Sequence, residues 1–337
     1  EVNNAPFDGF YYQNDETNPR RMTKYQTDQL TDLAIEYINN YEGEEPLFLV
    51  LSVEPPHFPL DAPKENQHFD PASLETRANF TDTPEMLEQL AMYYAMIENL
   101  DQNIGRLREK VEESPKFSDN TLTVYFSDHG DFMGSHNIFQ RKEYPHEESV
   151  RIPAIFHWPD RIRAKGLTPE LWSLVDLLPT TLGLAGAEIP SYIQGRDYSP
   201  LLRGEDFIAP DDLLLEMVGN PRWSLDLLDW RGLVNNRWKY AFLETGHELL
   251  FDLENDPYEL SNVADEDPEV CGALKARLLK LLAESREPYF DVLIQHGAKP
   301  QIPVRDVSPA GASVLVPCPE KLSPAWKDMI VRPPDAD

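Results

Sequence analysis

Two short stretches put chemistry-bearing side chains at the ends of apolar runs: ProProHis at 55–57 and SerAspHisGly at 127–130. Asp128 and His129 are neighbours in a tight turn, and such a pair suits a divalent cation. The carboxylate favours a hard ion such as Ca²⁺ or Mg²⁺, whereas the imidazole would suit zinc better. The plain alternative is an ordinary turn in which Asp bonds its own backbone and Gly takes a positive φ, and spacing alone favours it. His57 can equally be an incidental histidine in a rigid proline turn. The loop from Gly134 to Arg151 gathers His136, Arg141, Lys142, His146 and the pair Glu147–Glu148. It reads either as a solvated charged loop or as an anion site with Lys142 or Arg141 facing an oxyanion.

These residues need rigid elements to hold them. The run 46–53 has the length and composition of a buried strand and would deliver His57 to its carboxyl end. A second strand over 121–126 would deliver Asp128 and His129, and a third covers 152–158. Helices are predicted over 27–39 and, from the steps of four and three linking Met86, Leu90, Tyr93, Ile97, Leu100, Ile104, Leu107 and Val111, over 85–112. Residues 171–185 also look helical, with Pro179 expected to kink or divide the segment. The alternation predicts an α/β domain whose mostly parallel sheet is flanked by helices, with ligands beyond the carboxyl ends of its strands. From about residue 206 the pattern changes to short strands at 212–218, 231–235, 238–243 and 248–253, closed by a helix over 268–284. That predicts a small antiparallel sheet with a helix over 206–296, followed by a proline-rich tail over 297–337.

The chain carries 59 acidic against 30 basic residues, a formal net charge of -29. Such a surface repels nucleic acid and anionic membranes, so an anionic ligand needs locally placed cations. The longest apolar runs are strand-sized, well short of the roughly 20 residues of a membrane span. Cys271 and Cys318 cannot build a disulfide framework. AsnPheThr at 79–81 has the form of an N-glycosylation acceptor.

Several longer segments carry a family resemblance. SerAspHisGlyAspPheMetGlySerHis (127–136) and LysGluTyrProHisGluGluSerValArgIleProAlaIle (142–155) resemble the metal-binding signature of the sulfatases, within the alkaline phosphatase superfamily, and the segment that follows it. ThrAspGlnLeuThrAspLeuAlaIle (27–35), ProLeuPheLeuValLeuSerValGluProProHisPhePro (46–59) and TyrTyrAlaMetIleGluAsnLeuAspGlnAsnIleGlyArgLeu (93–107) match in order and spacing. ValAspLeuLeuProThrThrLeu (175–182) and LeuPheAspLeuGluAsnAspProTyrGluLeuSerAsn (250–262) match the family's C-terminal half, so the likeness covers about 25–290.

The resemblance implies an alkaline-phosphatase-like fold and hydrolysis of sulfate esters, on a sulfated small molecule or glycan. It implies that Asp128 and His129 ligate the metal, usually Ca²⁺ with Mg²⁺ as alternative. His57 would lie near the sulfate and the leaving oxygen, and Lys142 would hold a sulfate oxygen. Counting forward from AspHisGly without a gap would put Arg141 there instead, but a one-residue insertion is cheap. His136 matches a family position near the substrate. The family's formylglycine nucleophile arises in a C-x-P-S-R-like motif, which these residues lack. The resemblance therefore implies the C-terminal two-thirds of a sulfatase, inactive alone, from a periplasmic or secreted parent. Two rivals share the residues: a phosphonate monoester hydrolase or phosphodiesterase of the same superfamily, and a non-catalytic binder of sulfated glycans.

Overall fold

A computed structural model describes residues 6–139, 141–163, 166–218 and 229–285. The proline-rich tail and Cys318 lie outside the described residues. The chain divides into two compact units, one taking the residues up to Thr76 with Thr81–Thr123 and His157–Pro159, the other Arg77–Phe80, Val124–Phe156 and the residues from Asp160 onward.

The first unit begins with a two-residue antiparallel pair, β1 (Phe10–Tyr11) and β2 (Arg20–Arg21). Two helices follow, α1 (Gln26–Asn39) and α2 (Pro84–Glu113), close to the spans that periodicity predicts. Thr83 starts α2 by accepting the Met86 amide at 3.2 Å, and Pro84 supplies a preset φ where no helical N–H partner is required. The buried stripe of α2 includes Leu90, Ala91, Ala95, Met96 and Leu100. Asn99 and Asn103 on α2 both donate to Asp28 Oδ1 on α1, at 3.1 and 2.7 Å, so a polar clamp fixes how the two helices pack.

Residues 46–53 do not form the expected strand. They run without a ladder, and Phe48 and Val50 are 84% and 70% exposed. The apolar run is suited to burial on both faces, and among the described residues no neighbouring strand pairs with it.

Strand β3 (Thr123–Phe126), which from Val124 belongs to the second unit, pairs with β4 (Ala154–His157), with the single-turn helix α3 (Glu147–Val150) between them in sequence. Among the described residues these two strands alone represent the predicted mostly parallel sheet. A 3₁₀ turn at Leu174–Asp176 leads into α4 (Leu177–Ala185). Pro179 therefore falls in the first turn of α4, where its missing N–H costs nothing, instead of kinking a longer helix. A short helix α5 (Ser199–Arg203) follows.

The C-terminal part is an antiparallel meander of β5 (Leu213–Met217), β6 (Trp230–Val234), β7 (Trp238–Leu243) and β8 (Glu248–Asp252) in that order. Helix α6 (Pro268–Ser285) lays Cys271, Leu274, Leu278 and Leu282 on Leu233, Tyr240, Phe242 and Leu250 of the sheet. The opposite face buries Trp230, Ala241, Leu243, Leu249 and Phe251. Burial on both faces explains why these strands read as apolar runs with little alternation. Burial also pushes the Cys271 thiol up to about 11, which makes it a packing residue without nucleophilic character.

Leu250 is fully buried. Leu250→Ala is expected to cost about 2–5 kcal/mol, read as a lowered Tm; an unchanged Tm would show that α6 does not seal this face. With Phe48, Val50 and Ile155 at 84, 70 and 57% exposure, the 337-residue chain is expected to self-associate. A monodisperse monomer by size exclusion with light scattering would contradict that.

Candidate functional site

The turn after β3 is held by its own hydrogen bonds. Ser127 Oγ donates to the His129 carbonyl at 2.7 Å, and Asp128 Oδ1 accepts the His129 amide at 3.0 Å. His129 Nδ1 lies 2.8 Å from the Gly130 carbonyl. A carbonyl can only accept, so Nδ1 carries the hydrogen in the neutral ring and Nε2 presents a lone pair. That nitrogen stands 3.5 Å from Asp128 Oδ2, and the Asp128 side chain is 82% exposed. Two electron-rich donor atoms side by side, one fixed in tautomer by a backbone carbonyl, are the arrangement a divalent cation satisfies. Asp128 and His129 thus offer two donor atoms of the kind that the metal implied by the resemblance would take.

The following loop is brought against this turn by a close backbone approach. Gly130 donates its amide to Ser149 O at 2.8 Å, and a Cβ at Gly130 would collide with the Glu148 carbonyl oxygen. Ser149 Oγ in turn donates to the Lys142 carbonyl. The AspHisGly turn, α3 and Lys142 thus form one connected backbone cluster. Arg141 faces Glu143 across 4.0 Å.

Between them, residues 133–137 turn sharply: Met133, Gly134, His136 and Asn137 all have positive φ, from 44° to 100°. Gly134 is required there, since a Cβ would meet the Phe80 ring at 2.6 Å. The turn buries His136 beside Asn79, whose Nδ2 donates to Glu148 Oε1 at 2.8 Å and to the Tyr258 carbonyl at 3.0 Å and lies 2.9 Å from His136 Nε2. Arg77 adds an ion pair to Glu148 Oε1 at 3.0 Å. The amide of the 79–81 sequon is therefore committed inside the fold, with Asn79 7% exposed.

Beside this network Lys239 of β7 is fully buried and contacts Glu147 Oε1 at 2.7 Å and Glu259 Oε1 at 2.8 Å. Glu259 Oε2 accepts the Glu147 amide at 2.7 Å. Burial pushes the Glu259 carboxyl up to about 7 against the pull of Lys239. His146 is packed among Phe132, His136, Tyr144 and Phe251. Desolvation holds His146 well below the ordinary imidazole range and also lowers His136, against the attraction of Glu148. Donor atoms of His136, Glu148 and Glu259 lie within 4.8 Å of one another, a grouping able to take a cation. Asn79 and Lys239 already supply hydrogen-bond donors to it, so it has the character of a closed internal network.

Of the residues singled out in the sequence, Asp128, His129, His136, Arg141 and Lys142 belong to the second unit. His57 belongs to the first, where it is exposed after the Pro55–Pro56 and before the Phe58–Pro59 cis peptides, its amide donating to Glu54 O at 2.9 Å and its Nδ1 lying 2.6 Å from Phe58 O. Sequence reasoning missed Lys239 and Glu259, and read Asn79 only as a sequon and Glu147 only as part of a charged loop. The signal for Lys239 was present: a lone cation inside the apolar strand TrpLysTyrAlaPheLeu.

A family model described as Sulfatase matches residues 2–187, and one described as N-sulphoglucosamine sulphohydrolase, C-terminal, matches 134–287. The chain is 32% identical over 285 residues to an ulvan-active sulfatase of Formosa agariphila, covering 81% of this chain and 55% of that protein. Among solved structures, a putative sulfatase (yidJ) of Bacteroides fragilis aligns with a TM-score of 0.76 at 28% identity, covering 85% of this chain and 65% of the other. The phosphonate monoester hydrolase of Agrobacterium radiobacter aligns with a TM-score of 0.67 at 22% identity, a likeness of fold over 77% of this chain and 62% of that one. The chain thus spans a little over half the length of its curated relative.

Two outcomes test the site's construction. Gly130→Ala is expected to lower stability by more than about 2 kcal/mol, because backbone must move to admit the methyl group; a Tm within a degree of wild type would refute the close approach. A histidine with a depressed folded pKa contributes stability that is lost as pH falls below the unfolded value near 6.5, by up to about 1.4 kcal/mol per pH unit. His146→Phe should therefore lose less Tm than wild type between pH 7 and pH 5, and parallel curves would show that His146 already protonates in the fold.

Proposed function

The chain belongs to the sulfatase family, and from that membership and the Asp128–His129 turn we propose that the protein hydrolyses sulfate esters of a sulfated carbohydrate. The observation that carries the reading is the 2.8 Å contact of His129 Nδ1 with the Gly130 carbonyl, which leaves Nε2 as a lone-pair donor beside an exposed carboxylate. In this reading Asp128 and His129 help hold Ca²⁺, with Mg²⁺ as the alternative. A divalent cation there supplies positive charge against the negative charge of the sulfate and its developing leaving oxygen.

The chain's own groups do the remaining work. Lys142 holds a sulfate oxygen as a point charge, and its backbone is tied through Ser149 to the metal-binding turn. Arg141, the alternative, already faces Glu143. His57 serves at the leaving oxygen, where an exposed imidazole is able to pass a proton. His136 has its Nε2 engaged by Asn79, which favours a supporting role over a direct hold on substrate. The nucleophile of this reading is the family's formylglycine, and the protein acts in the periplasm or after secretion.

A second reading, a phosphonate monoester hydrolase, has the fold likeness in its favour. Both are tested by incubating the full-length gene product with an aryl sulfate, a sulfated polysaccharide and an aryl phosphonate ester in the presence of Ca²⁺. Sulfate release that EDTA abolishes is expected, with Asp128→Asn and Lys142→Ala each lowering kcat/KM on the order of 10²–10³-fold. Faster turnover of the phosphonate would favour the second reading, and full activity in Asp128→Asn would remove the metal site from this turn.

A further inference from the structure

The segment 141–150 is gripped by the C-terminal sheet at both of its ends. Near its start, Trp230 of β6 donates its indole N–H to the Glu143 carbonyl at 2.7 Å. Near its end, Glu147 is held twice, through its carboxylate by Lys239 at 2.7 Å and through its amide by Glu259 at 2.7 Å. Glu259 and Lys239 are themselves joined at 2.8 Å, with both side chains wholly withdrawn from solvent. The held residues connect onward by single hydrogen bonds: Ser149 reaches the Lys142 carbonyl with its hydroxyl and takes the Gly130 amide on its own carbonyl.

A buried cation between two carboxylates is a poor way to gain stability. Desolvating the charges offsets most of their attraction, and a well-packed apolar substitute is often as stable. What such an arrangement supplies is direction, because charged hydrogen bonds are short and tolerate little displacement. Glu259 also holds its backbone at φ 53°, in the left-handed region, while making these contacts.

We propose that Lys239, Glu259 and Trp230 are positioning residues, which set where the 141–150 segment places Lys142 and, through Gly130, where the Asp128–His129 turn sits. The C-terminal sheet then acts on the reaction without touching substrate. The inference rests on the anion site proposed above.

The test uses the full-length gene product carrying Lys239→Met, Glu259→Gln or Trp230→Phe, with Leu250→Ala as a control that weakens the same sheet on its α6 face. Steady-state kinetics with the aryl sulfate and Ca²⁺ are run well below each Tm, alongside hydrogen exchange over 141–151. Glu259→Gln leaves Lys239 and Glu147 as a balanced pair, and Trp230→Phe removes one hydrogen bond at nearly constant shape. Those two decide the matter if Lys239→Met fails to fold. The expected result is a loss in kcat/KM on the order of ten- to a hundredfold, with faster exchange at 147–151, in variants that remain folded. Leu250→Ala should stay within about twofold of wild type, since displacement and not weakening is the cause. Wild-type kinetics in folded Glu259→Gln and Trp230→Phe would overturn the proposal, as would an equal loss in Leu250→Ala. A wild-type enzyme that releases no sulfate would instead sink the functional reading, while the exchange data would still report whether the sheet holds the segment.

Discussion

Everything assembled around the candidate site depends on two pieces of backbone meeting with no side chain between them. Gly130 and the Glu148–Ser149 carbonyls lie so close that only a hydrogen fits at Gly130 Cα. That contact draws the end of β3 and the short helix α3 together, so a carboxylate–imidazole pair and a basic dipeptide far apart in a conventional loop share one locality. In a molecule of net charge -29 this concentration matters. An anion approaching an acidic surface is repelled except where cations are gathered at short range.

The long elements were legible because their signals are local and repeated. The stripe of α2, the apolar face of α6 and the turn-punctuated strands from Leu213 to Asp252 each state their own burial pattern, and the helices end within a residue or two of where periodicity and capping place them. Residues 46–53 show the limit of that logic: an apolar run describes the environment a segment requires, whereas a ladder needs a second strand at hand. Pro179 shows another, since a proline that breaks a helix and one that opens a helix differ only in where the first turn begins. At the site, the AspHisGly turn and Lys142 were legible as residue types. The network behind them was not, because Glu147, Lys239 and Glu259 meet across separations of 20 to 112 residues, and Asn79 reaches Glu148 and Tyr258 across 69 and 179. Only the misfit of a lysine in an apolar strand hinted at it.

The network also shows how the fold tolerates charge in its interior. Lys239 is flanked by two carboxylates, Glu148 receives Asn79 and Arg77, and desolvation disfavours the charged form of the two imidazoles nearby. The cost of burying charge is met locally, by partners whose geometry leaves little freedom, and the segment they surround inherits that rigidity.

The commitment of Asn79 has a bearing on how this protein can be produced. Oligosaccharide transfer in a eukaryotic secretory route acts on nascent chain, before the Asn79 amide has found His136, Glu148 and the Tyr258 carbonyl. A sugar attached then would occupy the nitrogen that donates to Glu148 and the Tyr258 carbonyl and would need volume where the interior has none. Glycan occupancy at this sequon and native folding exclude each other, so a yeast or insect-cell secretion host works against this chain, whereas a bacterial host that lacks the transferase leaves the asparagine to its interior partners.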